Sequence, residues 1–226
     1  MQERDPDFLK KAIEIIGLEL DPPTDGPTFC LDEQTGLGLR LPTAPTQPVA
    51  PGQAARREFE YTRTGTAALL AAFSVLTGLV VGLVRTRHRA AEFIELLKLL
   101  DKQVPPNEVI HLILDPVRMH HSAEVAVYVA YRPWRFQFHW LPVHSSWLSF
   151  IEPWFAILYR KCLKRAELAD FEAADKAISG FIETYDTHQA HPFTWKKGVR
   201  FYQRLKDKLT DKLTDKLADS ATVVAA

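Results

Sequence analysis

The sequence predicts an α/β fold, and three observations carry that expectation. Apolar runs of strand length at 29–34, 67–75, 79–85, 109–114 and 136–139 are interleaved with amphipathic stretches of helix length. The run Val109 to Leu114 offers apolar side chains to both faces, the mark of a central strand, here expected parallel to the first. Proline and glycine punctuate the boundaries rather than the interiors of these segments.

Taken in order, residues 7–17 place Phe8, Leu9, Ala12, Ile13 and Ile16 on one helical face, and Asp21-Pro22-Pro23 stops that helix. Residues 29–34 form the first strand. Pro42, Pro45, Pro48 and Pro51 make 40–52 an extended arm without regular pairing. The run from Ala67 to Val84 is long and apolar enough to raise a membrane span. Ser74, Thr77 and the Thr77-Gly78 break argue instead for two buried strands joined by a turn. A helix over 89–101 points Ala90, Phe93, Ile94, Leu97 and Leu100 inward, and Pro105-Pro106 ends that unit. A helix over 121–130 and a short strand over 136–139 follow the central strand.

The long helix of 150–165 carries the stripe Ile151, Trp154, Phe155, Leu158 and Cys162. Pro153 fits only near its start, where the missing N–H costs nothing, so Glu152 lies at the N-cap region and points away from the stripe. The last core helix, 170–186, turns Phe171, Ala174, Ile178, Phe181 and Ile182 inward. The tail then repeats Asp-Lys-Leu-Thr. Its leucines at 205, 209, 213 and 217 recur every fourth residue, so their stripe drifts around a 3.6-residue helix. A solvated, fraying helix is the expectation there, with weak self-association as the alternative and disorder over 219–226.

The 226 residues suffice for one domain with a real core. Cys30 and Cys162 fall on apolar faces and cannot alone make a disulfide framework or a structural zinc site, which fits a reducing cytoplasm. The N-terminus has no secretory apolar region. Net charge is zero, with 28 basic and 28 acidic residues, yet the basic ones cluster: Arg56, Arg57 and Arg63; Arg85, Arg87 and Arg89; Arg160, Lys161, Lys164 and Arg165; Lys196, Lys197 and Arg200. Local patches can hold a phosphate backbone although the total is neutral.

Three acids carry the chemistry. Asp32 ends the run Phe29-Cys30-Leu31, Asp115 ends the central strand, and Glu152 opens the long helix. Two carboxylates at strand ends and one on a helix suit a pair of Mg²⁺ ions and phosphoryl transfer on nucleic acid. Glu33 points to the opposite face of its strand, which gives it a structural role.

The words around these acids resemble the bacterial insertion-sequence transposases of the DDE superfamily, in the branch related to mariner elements. The matching words run in family order: DEQTG at 32–36, PGQAARREFEYTRTGT at 51–66, ILDPVRMH at 113–120, PVHSSWLSFIEPWF at 142–155 and AHPFTWKK at 190–197. The resemblance covers about residues 5 to 198. It implies a ribonuclease H-like mixed sheet flanked by helices, occupying 26–200, behind an N-terminal linker helix at 1–25 and ahead of the helical tail at 201–226.

The resemblance also assigns roles. Asp32, Asp115 and Glu152 are the catalytic and metal-binding acids, with Asp32 bridging two Mg²⁺ ions about 4 Å apart and Mn²⁺ as substitute. Arg63, Lys196 and Lys197 are candidate DNA contacts, His120 is a candidate contact to a DNA phosphate or to the metal shell, and Trp147 packs under the Glu152 helix. The partners implied are element ends and target DNA, and a second copy or a full-length transposase, with no membrane. Two positions depart from the family pattern: Pro116 and Ser149 stand where Asn is usual. About thirty residues precede Asp32, too few for the helix-turn-helix modules of such transposases, so a catalytic domain alone is expected. The alternatives are a silent relic and a non-cutting partner of an intact transposase.

Overall fold

The structure, a computed structural model, describes residues 5–224 except 46, 48, 55–59, 196 and 197, without the side chains of 165 and 215–224. Its elements run α1 (Phe8–Leu20), β1 (Thr28–Pro42), β2 (Tyr61–Ser74), β3 (Val80–Arg85), α2 (Ala90–Gln103), β4 (Ile110–Leu114), α3 (Ala123–Ala130), β5 (Phe136–Trp140), α4 (Ile151–Lys161), α5 (Phe171–His188) and α6 (Gly198–Val224). The strands stand in the order β3-β2-β1-β4-β5. β1, β2 and β3 are antiparallel neighbours, whereas β1–β4 and β4–β5 are parallel. This mixed sheet with helices on both faces is the α/β architecture expected from the sequence.

Strand alternation sorts the core into two layers. Phe29, Leu31, Leu70, Ala72, Leu112 and Leu114 face α2 and α3, where Phe93, Leu97 and Val125 cover them. Cys30, Ala71, Phe73 and Ile113 face α1, α4 and α5, where Ile16, Trp154, Ile178 and Tyr185 close over them. Because β2 is covered on both sides, the run 67–75 is apolar except for Ser74. The suspected span is thus β2, a turn and β3, and no helix among the described residues is long and apolar enough to cross a membrane. Gly78 makes the turn, with φ +76°, and a Cβ there would lie 2.1 Å from the His191 carbonyl oxygen. The segment after α5 therefore straps directly over the β2–β3 turn.

Four boundaries differ from the sequence reading. β1 does not stop at Gln34 but runs to Pro42, so Asp32 lies inside the strand and not at its end. Irregularities at Gln34/Leu37 and Leu39/Arg40, the first holding Gly36 at φ +67°, bend β1 and β2 into a long ribbon. Arg40, Leu41 and Pro42 pair with Arg63, Thr62 and Tyr61 where an unpaired arm was expected. Proline is tolerated there as the terminal residue of the strand. α1 continues to Leu20 because Ile15, Ile16 and Glu19 extend its buried face. α4 ends at Lys161 and gives way to a 3-10 turn at Leu163–Arg165. α6 is helical through Val224, including residues expected to lack order. Leu205 is buried in the core beside α1, whereas Leu213 is exposed. That is the drift expected of a four-residue repeat, which walks off a contact face within two turns.

Two polar constructions fix the frame. The buried Arg135 guanidinium donates to the carbonyls of Asp101, Val104, Pro105 and Glu108 and to the Asp101 carboxylate, locking the end of α2 to the start of β5. Glu19, also buried, accepts from the Trp195 indole N–H at 2.8 Å and the Phe150 backbone N–H at 3.0 Å, and its Oε1 lies 3.3 Å from the Cys30 thiol. One side chain of α1 thereby ties together the strap, the entry to α4 and the strand that carries Asp32.

Candidate active site

The sheet brings the two aspartates together through register. Parallel pairing sets Cys30 opposite Ile113, and two residues further along each chain stand Asp32 and Asp115. Asp32 shares the face of Cys30, toward α4, and Glu152 is in the first turn of α4, where the helix dipole favours a carboxylate. Asp32 Oδ1 accepts the Glu33 N–H at 2.7 Å. Burial pushes the Asp32 carboxyl up to about 7, against the pull of that hydrogen bond, and the negative charges of Glu33, Asp115 and Glu152 push it further. Burial likewise raises Asp115, opposed by the charge of His120. Its Oδ1 is closed off from solvent and has no hydrogen-bond partner among the described residues.

Glu33 points to the opposite face from Asp32, as strand alternation requires, and meets His120. Their Oε1–Nε2 distance is 3.1 Å, while His120 Nδ1 lies 2.9 Å from the Asp115 carbonyl oxygen and 3.5 Å from its Oδ1. Phe93 packs on the imidazole with ring centroids 4.4 Å apart. A carbonyl only accepts, so Nδ1 donates to it. Nε2 faces a carboxylate and donates as well, which makes the ring an imidazolium. Burial opposes that charge, but the hydrogen bond and charge of Glu33 outweigh it and His120 sits above its ordinary pKa.

The side chain of His120 is fully buried, so it is not the DNA contact expected from the sequence. Glu33, Asp115 and His120 do bring three ligand atoms within 4.8 Å of one another. Both imidazole nitrogens are already committed, however, so the ring holds the Asp115 backbone rather than offering a lone pair to a metal. His120→Ala is expected to weaken divalent-metal affinity roughly tenfold or more, read by calorimetry. An unchanged affinity would remove the positioning role.

The three acids offer oxygen donors only: a half-buried Asp32, an Asp115 whose Oδ1 accepts no hydrogen bond among the described residues and has His120 Nδ1 3.5 Å away, and a half-exposed Glu152. Carboxylates of this kind fit a hard divalent cation such as Mg²⁺ or Mn²⁺.

The profile of a family described as DDE superfamily endonuclease matches residues 27–175, more than half of the chain. The chain belongs to this family. The matched segment of the DDE domain holds β1 to β5, α4 and all three acids. No curated protein matches it by sequence. Solved structures share its fold. The Mos1 mariner transposase catalytic domain superposes with a TM-score of 0.57 at 12% identity, over 91% of this chain and 92% of that one. The same domain with raltegravir and Mg gives 0.56 at 13% identity, over 91% and 94%. The chain of the Mos1 strand transfer complex gives 0.58 at 14% identity, over 91% of this chain but 61% of that one. The DDE domain thus spans about 61% of that Mos1 chain. At such identities the likeness is one of fold, here the ribonuclease H-like sheet.

The remaining expected site residues are scattered. Arg63 is exposed on the β1–β2 ribbon, paired in register with Arg40. Lys196 and Lys197, like Arg56 and Arg57, lie outside the described residues. Arg85 and Arg89 are engaged by Glu95 and Glu92, whereas Arg87 is exposed in a cleft of about 560 Å³ with Thr35, Thr66 and His88. Sequence reading missed that groove because it joins the β1 bulge to the end of β3. Trp147 was expected beneath α4 but is 54% exposed, while Trp154 is fully buried as its stripe position requires.

Proposed function

We propose that this DDE domain is the catalytic part of a transposase of the bacterial insertion-sequence type related to mariner elements. It cleaves DNA at element ends and joins the freed 3′-hydroxyl to target DNA. The carrying observation is placement: parallel register sets Asp32 and Asp115 on adjacent strands, each two residues beyond the Cys30–Ile113 pair, and Glu152 opens α4 on the face that Asp32 shares. The charges of Asp115 and Glu152 disfavour ionisation of Asp32, which a bound cation would reverse.

Two divalent cations held by Asp32, Asp115 and Glu152 would supply the charge that activates water or a 3′-hydroxyl and steadies the departing oxygen. Asp32, Asp115 and Glu152 would be the residues that hold them. His120, itself held by Glu33, bonds the Asp115 main chain, which fixes the direction of its carboxylate. Arg63 on the ribbon and Arg87 in the groove beside the β1 bulge suit the phosphate backbone, with Lys196 and Lys197 as further contacts. Mos1 has been solved as a strand transfer complex, and DNA ends are the substrate class this reading gives the present chain.

The test is cutting and joining of duplexes bearing candidate element ends, with Mg²⁺ or Mn²⁺. Glu152→Gln is expected to lower the rate at least roughly 100-fold, the scale for losing a group that stabilises transition-state charge. Cutting that needs no metal, or that survives this substitution, would contradict the reading. A second reading, a domain that binds metal but no longer cuts, has one observation behind it. Ser149, where the family has Asn, is buried beside the Cys30 thiol and offers no amide there. Metal binding without any cutting in the same assay selects that reading.

A further inference from the structure

Trp147 is held out of the core while its neighbours are held in. Ser145, Leu148 and Ser149 are buried, and the bonds Leu148 N–H to Ser145 O (3.0 Å) and Ser149 N–H to Ser146 O (2.8 Å) fix a 3-10 turn that throws the indole outward. It forms a wall shared by two clefts. One, about 390 Å³, lies between Trp147, Phe150, Pro153 and the strap His191–Trp195. The other, about 450 Å³, is lined by Trp147, Trp195, Phe201, Arg200 and Arg204. The Trp147 and Phe201 rings stand 6.3 Å apart at 54°, and Trp195 is pinned by Glu19. Arg200 and Arg204 lie one turn apart on α6, both exposed and without an ion pair among the described residues. Pro153 follows Glu152 directly, so the first cleft opens beside the start of the helix that carries it.

We propose that these joined clefts hold an unpaired nucleotide of the DNA strand, its base against Trp147 and its phosphate on Arg200 and Arg204. Flat aromatic walls accept the face of a base, and a base offers that face only when it is out of the duplex stack. The two uncompensated guanidinium groups call for an anion at the rim. An apolar peptide would satisfy the aromatic walls but leave both arginines unmatched. This inference rests on the DNA reading above and adds a subsite to it.

The test compares the full chain with Trp147→Ala and Arg200→Ala/Arg204→Ala, by fluorescence anisotropy on a blunt duplex and on the same duplex with a short unpaired thymidine tail. The parent is expected to prefer the tailed duplex. Trp147→Ala is expected to shrink the tailed-to-blunt affinity ratio roughly 5- to 100-fold, the effect of one lost stacking contact. The arginine pair is expected to shrink the same ratio and flatten its salt dependence. Equal ratios in parent and Trp147→Ala, with both binding DNA, would overturn this subsite and leave the DNA reading standing. Binding of neither duplex by the parent would overturn both. Concentration-dependent self-association of the parent, abolished by Trp147→Ala, would overturn it in favour of a contact between copies.

Discussion

Asp32→Asn makes the metal-free protein more stable and at the same time abolishes its response to divalent metal. The Asp32 carboxyl is raised in the folded state to about 7 from 3.8. A raised acid contributes almost no penalty well below its unfolded value of 3.8, where it is protonated in both states. The penalty grows as pH climbs toward 7 and is complete above it, reaching about 4 kcal/mol at most. Asn carries no charge and its Oδ1 can still accept the Glu33 N–H. At pH 8 and without metal, Asp32→Asn is expected to gain about 2–4 kcal/mol over the parent. At about pH 2.5, well below the unfolded value of 3.8, the two should unfold alike. Denaturant unfolding at both pH values with a chelator checks this. Equal stability at pH 8 would mean that Asp32 is not held under charge strain, and the argument for a cation would lose its base.

Glu19→Ala has the largest destabilising effect expected outside the site. The Glu19 carboxyl is raised to about 7, because burial outweighs its hydrogen bonds with Trp195, Cys30 and Phe150. Removing it leaves the buried Phe150 N–H without an acceptor, worth about 1–3 kcal/mol, frees the part-buried Trp195 indole, and opens a cavity. Below about pH 5 the sum is on the order of 3–5 kcal/mol, or about 10 °C in Tm for a chain of this size, and it is smaller above about pH 7, where the substitution also removes a strained charge. Glu19→Gln keeps one acceptor oxygen and should lose less. Because Phe150 opens α4, Glu19→Ala should also weaken metal binding through Glu152. A Tm within experimental error of the parent would show that Glu19 is no hub.

Much of this was legible in the chain because local pattern and tertiary context agree. The run 109–114 is apolar on both faces and became the buried strand β4. Pro153 placed the start of α4, and with it Glu152, since proline fits only a first turn. Other features are set by distant partners and left no local signal. β1 runs past Gln34 because Tyr61–Arg63 come back to pair with it, and nothing in residues 40–42 announces that partner. His120 was read as a surface contact because its burial depends on Glu33, 87 positions away in sequence. Trp147 has the composition of a core residue, and only the 3-10 turn before α4 puts it outside. Glu19 looks like an ordinary helix carboxylate until Trp195 folds over it.

The central claim is that Asp32, Asp115 and Glu152 hold divalent metal. It is tested most directly by Mn²⁺ titration at pH 8, by calorimetry and thermal unfolding, on the parent and on Asp115→Ala. At a hundredfold excess over the dissociation constant, bound metal should stabilise the parent by about 2.7 kcal/mol, or roughly 5–10 °C in Tm. Asp115→Ala should show neither the heat nor the shift. A parent that binds no Mn²⁺, or an Asp115→Ala protein that binds it as the parent does, would contradict the account.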